Sequence, residues 1–98
     1  MSITIVWDTW LKPGTEVEGL KLTHKIWSDM RSFEGFMSHQ ILIDQDAPQH
    51  ILAIAKWRKR EDADEVREKY QDSETIRKLT PLLARPRDRW ITLEDNSR

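Results

Sequence analysis

The sequence predicts an α+β fold of order strand–helix–strand–strand–helix–strand, with one four-stranded antiparallel sheet and two helices on one face. Three observations predict it. Ile51-Leu52-Ala53-Ile54-Ala55-Lys56-Trp57 is apolar at both parities, the pattern of a strand covered on both sides. Other alternating segments flank two stretches of helical period. Pro13-Gly14, Glu34-Gly35 and Asp46-Ala47-Pro48 punctuate the boundaries between them. Right-handed crossovers through the two helices then give a ferredoxin-like βαββαβ arrangement. A chain of 98 residues has too little helix to roof both faces of its sheet, so the helix-free face predicts a second copy of the protein.

Each element follows from its own pattern. Residues 2–10 read as a strand, with Ile3, Ile5 and Trp7 on one face and Val6 and Trp10 on the other. Residues 15–32 carry an apolar stripe of Leu20, Thr23, Trp27 and Met30, widened by Ile26. Thr15 is the expected N-cap, and Glu16 and Glu18 suit the positive end of the helix dipole. Residues 36–44 and 50–58 form a hairpin joined through Gln45 to Gln49, where Asp46 and Pro48 favour a turn. Residues 61–71 are a charged helix with Ala63, Val66 and Tyr70 on its buried side and a Glu65–Lys69 pair on its wet side. A short helical stretch over 74–79 ends at Pro81, and residues 87–94 make a last strand whose Pro86 suits a sheet edge.

Composition narrows the function. One domain is expected over residues 1–98, with its core at about 3–94. Sixteen Lys and Arg against 17 Asp and Glu give a formal net charge of −1, which argues against a nucleic-acid partner. The absence of cysteine excludes disulfides, thiolate metal sites and cysteine nucleophiles. No apolar run reaches the roughly 20 residues of a membrane span. The first strand begins too early for a signal peptide, so a cytoplasmic protein is expected, without a membrane partner. Five Trp residues each need an apolar home and an N–H partner.

The punctuation as a whole resembles a known series. Pro13-Gly14 precedes the first helix, Glu34-Gly35-Phe36 opens the second strand, and Asp44 with Asp46-x-Pro48 marks the hairpin. Trp57 then ends the third strand, and Arg60-Glu61-Asp62-Ala63 opens the second helix. Over residues 3–94 the chain resembles the antibiotic biosynthesis monooxygenase family of dimeric α+β barrels. The resemblance implies a homodimer whose two sheets pack into a barrel, with a ligand cavity in each subunit between sheet and helices. Members of that family oxidise aromatic, quinol-like molecules with O₂ and neither metal nor flavin; others degrade haem, and many have no assigned substrate. The haem-degrading branch combines an Asn on strand one, a Trp ending strand three and a His near the second helix. Here Trp57 matches the Trp, but Trp7 or Asp8 occupies the Asn position and residues 61–80 contain no His. The resemblance therefore implies no cofactor, with O₂ as co-substrate and haem not expected.

Trp57 is the leading candidate for the site: Ala53 and Ala55 share its strand face, and small side chains there leave a hollow in which an indole can stack on an aromatic ligand. The alternative is a Trp that fills the core. His39, in mid-strand, is the candidate general base near neutral pH, against a histidine bonded at a dimer interface or exposed at an edge. The hairpin register decides whether it shares a face with Trp57. Trp7, Trp27 and Tyr70 complete the candidate pocket, each with a packing alternative. His24 reads as half-buried and structural and His50 as solvent-facing, and the three histidines lack metal-ligand spacing. Arg77, Arg85, Arg87 and Arg89 admit two readings, capture of an anionic ligand or a solvated edge, and the edge is the expectation.

The expected function is thus a cofactor-independent monooxygenase acting on an aromatic small molecule. A non-catalytic dimer that binds a small apolar ligand as sensor, carrier or stress module is the alternative. RNA binding is disfavoured, because the third strand offers Ile and Ala where RNA-recognition motifs need exposed aromatics and Gly.

Overall fold

The computed structural model describes residues 2–97. Its elements are β1 (Ile3–Trp10), α1 (Glu16–Met30), β2 (Phe36–Ile43), β3 (His50–Trp57), α2 (Arg60–Tyr70), α3 (Glu74–Leu79), a 3₁₀ turn (Thr80–Leu82) and β4 (Asp88–Thr92). All strand pairs are antiparallel, in the order β2-β3-β1-β4, so β2 and β4 are the edges. The ferredoxin-like expectation holds, with boundaries shifted by a residue or two and β4 shorter than the residues 87–94 expected.

Strand parity builds the core. Ile3, Ile5, Ile51, Ala53, Ala55 and Trp57 are buried on the face that the helices cover. Leu22, Ile26, Trp27 and Met30 of α1, with Ala63 and Val66 of α2, pack down on them. On the opposite face Val6, Leu52 and Ile54 are only half-buried, and Leu42 and Trp90 are 38% and 50% exposed. The same β1 and β3 residues that alternate in sequence therefore separate a dry face from a wet one.

Two local irregularities position everything that follows. The first lies in β2, where Phe36 pairs with Trp57 and Ser38 with Lys56, leaving Met37 as an extra residue in a β-bulge. Phe36 and His39 consequently share the covered face, although their spacing in an unbroken strand would separate them. The second lies beside β1. Leu11 bridges to Leu83 and Asp8 to Asp88, so three steps along β1 are matched by five along the returning chain. The surplus throws residues 85–87 out of the hydrogen-bond ladder.

Capping departs from expectation at one helix. The Thr15 hydroxyl donates to the Lys12 carbonyl at 2.7 Å and makes no cap bond to α1; Glu16 instead accepts from the Gly14 N–H at 3.0 Å. Ser73 caps α3, accepting from the Ile76 N–H at 3.2 Å. Gly35 sits at φ +88°, and a Cβ there would meet the Asp62 carboxylate, which explains a glycine at the entry to β2.

Candidate functional site

A cavity of about 680 Å³ lies between the covered face and the helices. That volume lies within the range of small-molecule sites. Its inner end is buried and apolar: Ile5 and Trp57 from the sheet, Ile26, Trp27 and Met30 from α1, and Val66 from α2. Its outer end is cationic, formed by Lys12, Arg67, Arg85, Arg87 and Arg89. Trp7 lies between the two ends. Trp57 pairs with Ile3, four residues before Trp7, so the backbone positions of the two tryptophans are offset by about 13 Å along the strand direction at the usual strand rise. Among the described residues no Asp, Glu or His lines the cavity.

Of the residues nominated by sequence, Trp7, Trp27, Trp57 and Tyr70 come together as lining. Ala53 and Ala55 do not. They are 2% and 0% exposed, packed within the core cluster, so the hollow expected above them is filled and the cavity opens over Ile5 and Trp7 instead. The Tyr70 hydroxyl is already engaged, donating to Asp29 at 2.7 Å. Burial, together with the Asp29 carboxylate, holds its pKa above the ordinary phenol value.

The β2 bulge places His39 on the same face as Trp57 but outside the cavity lining. Its ring lies 6.2 Å from Trp27 and 5.9 Å from Phe36, and Phe36 in turn meets Trp57 edge-on at 5.3 Å. His39 is thus one aromatic layer from the cavity. Burial, then the charge of Arg31 and the proximity of His24, lowers its pKa, so it is neutral near pH 7.

Three surface readings are corrected. His24 is exposed rather than half-buried. His50 is not solvent-facing: its Nδ1 lies 2.9 Å from Asp44, its Nε2 is hydrogen-bonded to buried Asp8, and its ring stacks on Trp10 at 4.1 Å. Burial alone would lower the His50 pKa, but the bonds to Asp44 and Asp8 outweigh it and raise the value. The arginines are more than an edge. Arg85, Arg87 and Arg89 line the cavity together with Arg67, an exposed residue of α2, while Arg77 stays exposed and outside. Arg67, Arg87 and Arg89 lie 6.0, 4.5 and 5.7 Å from the centre of the Trp7 ring. The available signal was the clustering of Arg85, Arg87 and Arg89 around Pro86, but nothing in it revealed the excursion from the ladder.

Among the described residues no three His, Asp or Glu side chains group to hold a metal ion. No helix among them is long and apolar enough to cross a membrane.

No protein-family model matches the sequence, and no curated protein is significantly similar to it. Solved structures are similar in fold. SnoaB, a cofactor-independent oxygenase from Streptomyces nogalater, superposes with a TM-score of 0.84 at 16% identity, covering 98% of this chain and 95% of its own. A protein from Bordetella bronchiseptica, described as a candidate antibiotic biosynthesis monooxygenase, gives 0.84 at 14% identity over 96% and 97%. A conserved protein from Methanosarcina mazei Go1 gives 0.78 at 15% over 97% and 94%. The chain shares the ferredoxin-like fold of antibiotic biosynthesis monooxygenase structures along nearly its whole length.

Proposed function

We propose that the protein is a cofactor-independent monooxygenase that uses O₂ to oxidise an aromatic, quinol-like small molecule held in the cavity. The observation that carries this reading is the cavity itself: Trp7, Trp27 and Trp57 wall a space of ligand size, inside a fold shared with a cofactor-independent oxygenase. Flat indole faces favour a planar ring system, which stacks or meets them edge-on. Loss of a proton from an activated ring CH₂ gives an anion able to pass one electron to O₂. Recombination of the two radicals and protonation give a hydroperoxide, and loss of water leaves a carbonyl, so that CH₂ and O₂ become C=O and H₂O. Trp57 is the proposed ring contact. His39, neutral near pH 7 and stacked on the cavity-lining Trp27, is the proposed positioning residue behind that indole, and the proton lost from the ligand passes to water at the outer end of the cavity.

The functional unit we propose is a homodimer. The half-exposed apolar face of Val6, Leu52, Ile54, Leu42 and Trp90 is suited to a second copy of the same sheet. Such docking would cover the outer side of the strands that carry the cavity floor.

One observation favours a second reading. A cavity without a carboxylate or imidazole in its lining suits a binder that performs no proton transfer. The test is O₂ uptake by the purified chain with anthrone and hydroquinone substrates, in the presence of a chelator. Acceleration over buffer, reduced at least tenfold by His39→Ala and Trp57→Ala, is the expected result. Ligand binding without O₂ uptake across the panel would leave the carrier or sensor reading in its place.

A further inference from the structure

The cations at the outer end of the cavity are not equivalent. Arg89 donates to Asp64 at 2.8 Å, and Arg85 lies 3.6 Å from Asp8 while also covering the Trp10 ring. Arg87 and Arg67 have no carboxylate partner among the described residues, yet both approach the ring of Trp7. Arg87 is the more enclosed of the two. Burial and the neighbouring Arg67 push its pKa down to about 10, which still leaves it cationic at neutral pH. Two of the three guanidinium groups around this indole therefore lack a carboxylate, repel each other, and open onto a cavity whose lining supplies no negative charge. Contact with the ring face compensates a buried cation only in part. A bound anion would relieve the repulsion and pair with the guanidinium fork.

We propose that the cavity takes its aromatic ligand as an anion, with Arg87 as the counter-ion and Arg67 assisting. The ligand class is an aromatic carboxylate or an acidic phenol bound as phenolate. Its charged end lies beside Trp7, and its ring system extends inward toward Trp27 and Trp57. The inference deepens the proposed function and rests on it only for aromatic occupancy of the cavity. Its structural basis is the excursion of residues 85–87, which holds Arg87 over the opening and out of the ladder.

The test compares 2-naphthoate with 2-naphthamide, matched in ring and shape and differing in charge, by equilibrium dialysis against the full chain at pH 7.5. Naphthoate is expected to bind at least tenfold tighter than the amide, with an advantage that shrinks as NaCl rises. Arg87→Gln should erase that advantage by weakening naphthoate at least tenfold more than the amide, while Arg87→Lys should keep part of it. Circular dichroism confirms the fold of each variant, and the salt titration of the unaltered chain needs no variant. Equal binding of acid and amide would overturn the anion inference and leave the aromatic cavity standing. Failure of both probes to bind would overturn the aromatic cavity as well. An advantage that survives Arg87→Gln would remove Arg87 as the counter-ion.

Discussion

The two faces of one sheet differ more than any two elements of the molecule. On the covered face Ile5, Ile51, Ala53 and Ala55 are at most 2% exposed and the helices close over them. On the open face Val6, Leu52 and Ile54 come from the same two strands, in alternation with them, and remain half-buried. The first face supplies the stability of the subunit and the inner wall of the cavity. The second supplies little to the isolated chain and is the surface proposed for assembly. An apolar residue in a strand thus acquires its role from its parity, not from its hydrophobicity.

Substitutions at matched apolar positions give the largest expected contrast. Ile5→Ala should cost about 2–5 kcal/mol, read as a fall in the urea midpoint at any protein concentration. Ile54→Asp should instead act on assembly, turning a dimer into a monomer in sedimentation velocity while leaving the far-ultraviolet spectrum of the folded chain intact. A single monomeric species for the unaltered chain at micromolar concentration would remove the dimer and leave the covered face as the only organised one.

A smaller contrast lies in the two histidines, one on each face, whose pKa values move in opposite directions. The raised value of His50 adds stability that is fully present below its ordinary value near 6.5 and is lost as pH rises through the folded value. The lowered value of His39 has the opposite sign. Its contribution is present above about 6.5 and is lost as pH falls through its folded value. Denaturation midpoints should therefore fall away on both sides of about pH 6.5. His50→Gln should flatten the alkaline side and His39→Gln the acidic side. The smallest effect belongs to neither face: Glu65→Ala, which breaks the exposed 3.1 Å pair with Lys69 on α2, should change stability by no more than about 0.5 kcal/mol.

Much of this fold was legible in the sequence because parity and period carry it. The alternation of Ile51, Ala53, Ala55 and Trp57 announced the face that the helices cover, and the stripe of Thr23, Ile26, Trp27 and Met30 followed from helical spacing. The candidate site was legible only in part. Trp7, Trp27, Trp57 and Tyr70 were found because aromatic residues on a core-facing stripe have few other places to go. His39 could not be placed, since the one extra residue at Met37 reverses which face it joins and nothing local marks that bulge. The His50 pairing with Asp8 spans 42 positions and depends on the register of β1 with β3. The place of the arginines is hidden in the sequence for a related reason: two surplus residues between Leu83 and Asp88 turn an edge into a rim, and only the pairing on either side reveals the surplus.

That surplus separates what the chain must keep from what it is free to change. Because residues 85–87 take no part in strand pairing, their side chains can be exchanged without breaking the hydrogen-bond ladder of the sheet. A relative of the same architecture could lose the positive charge there and admit uncharged molecules, or gain a carboxylate and select amines. Ligand preference in this scaffold would then diversify through three positions beside an edge strand, while the tryptophan wall stayed constant.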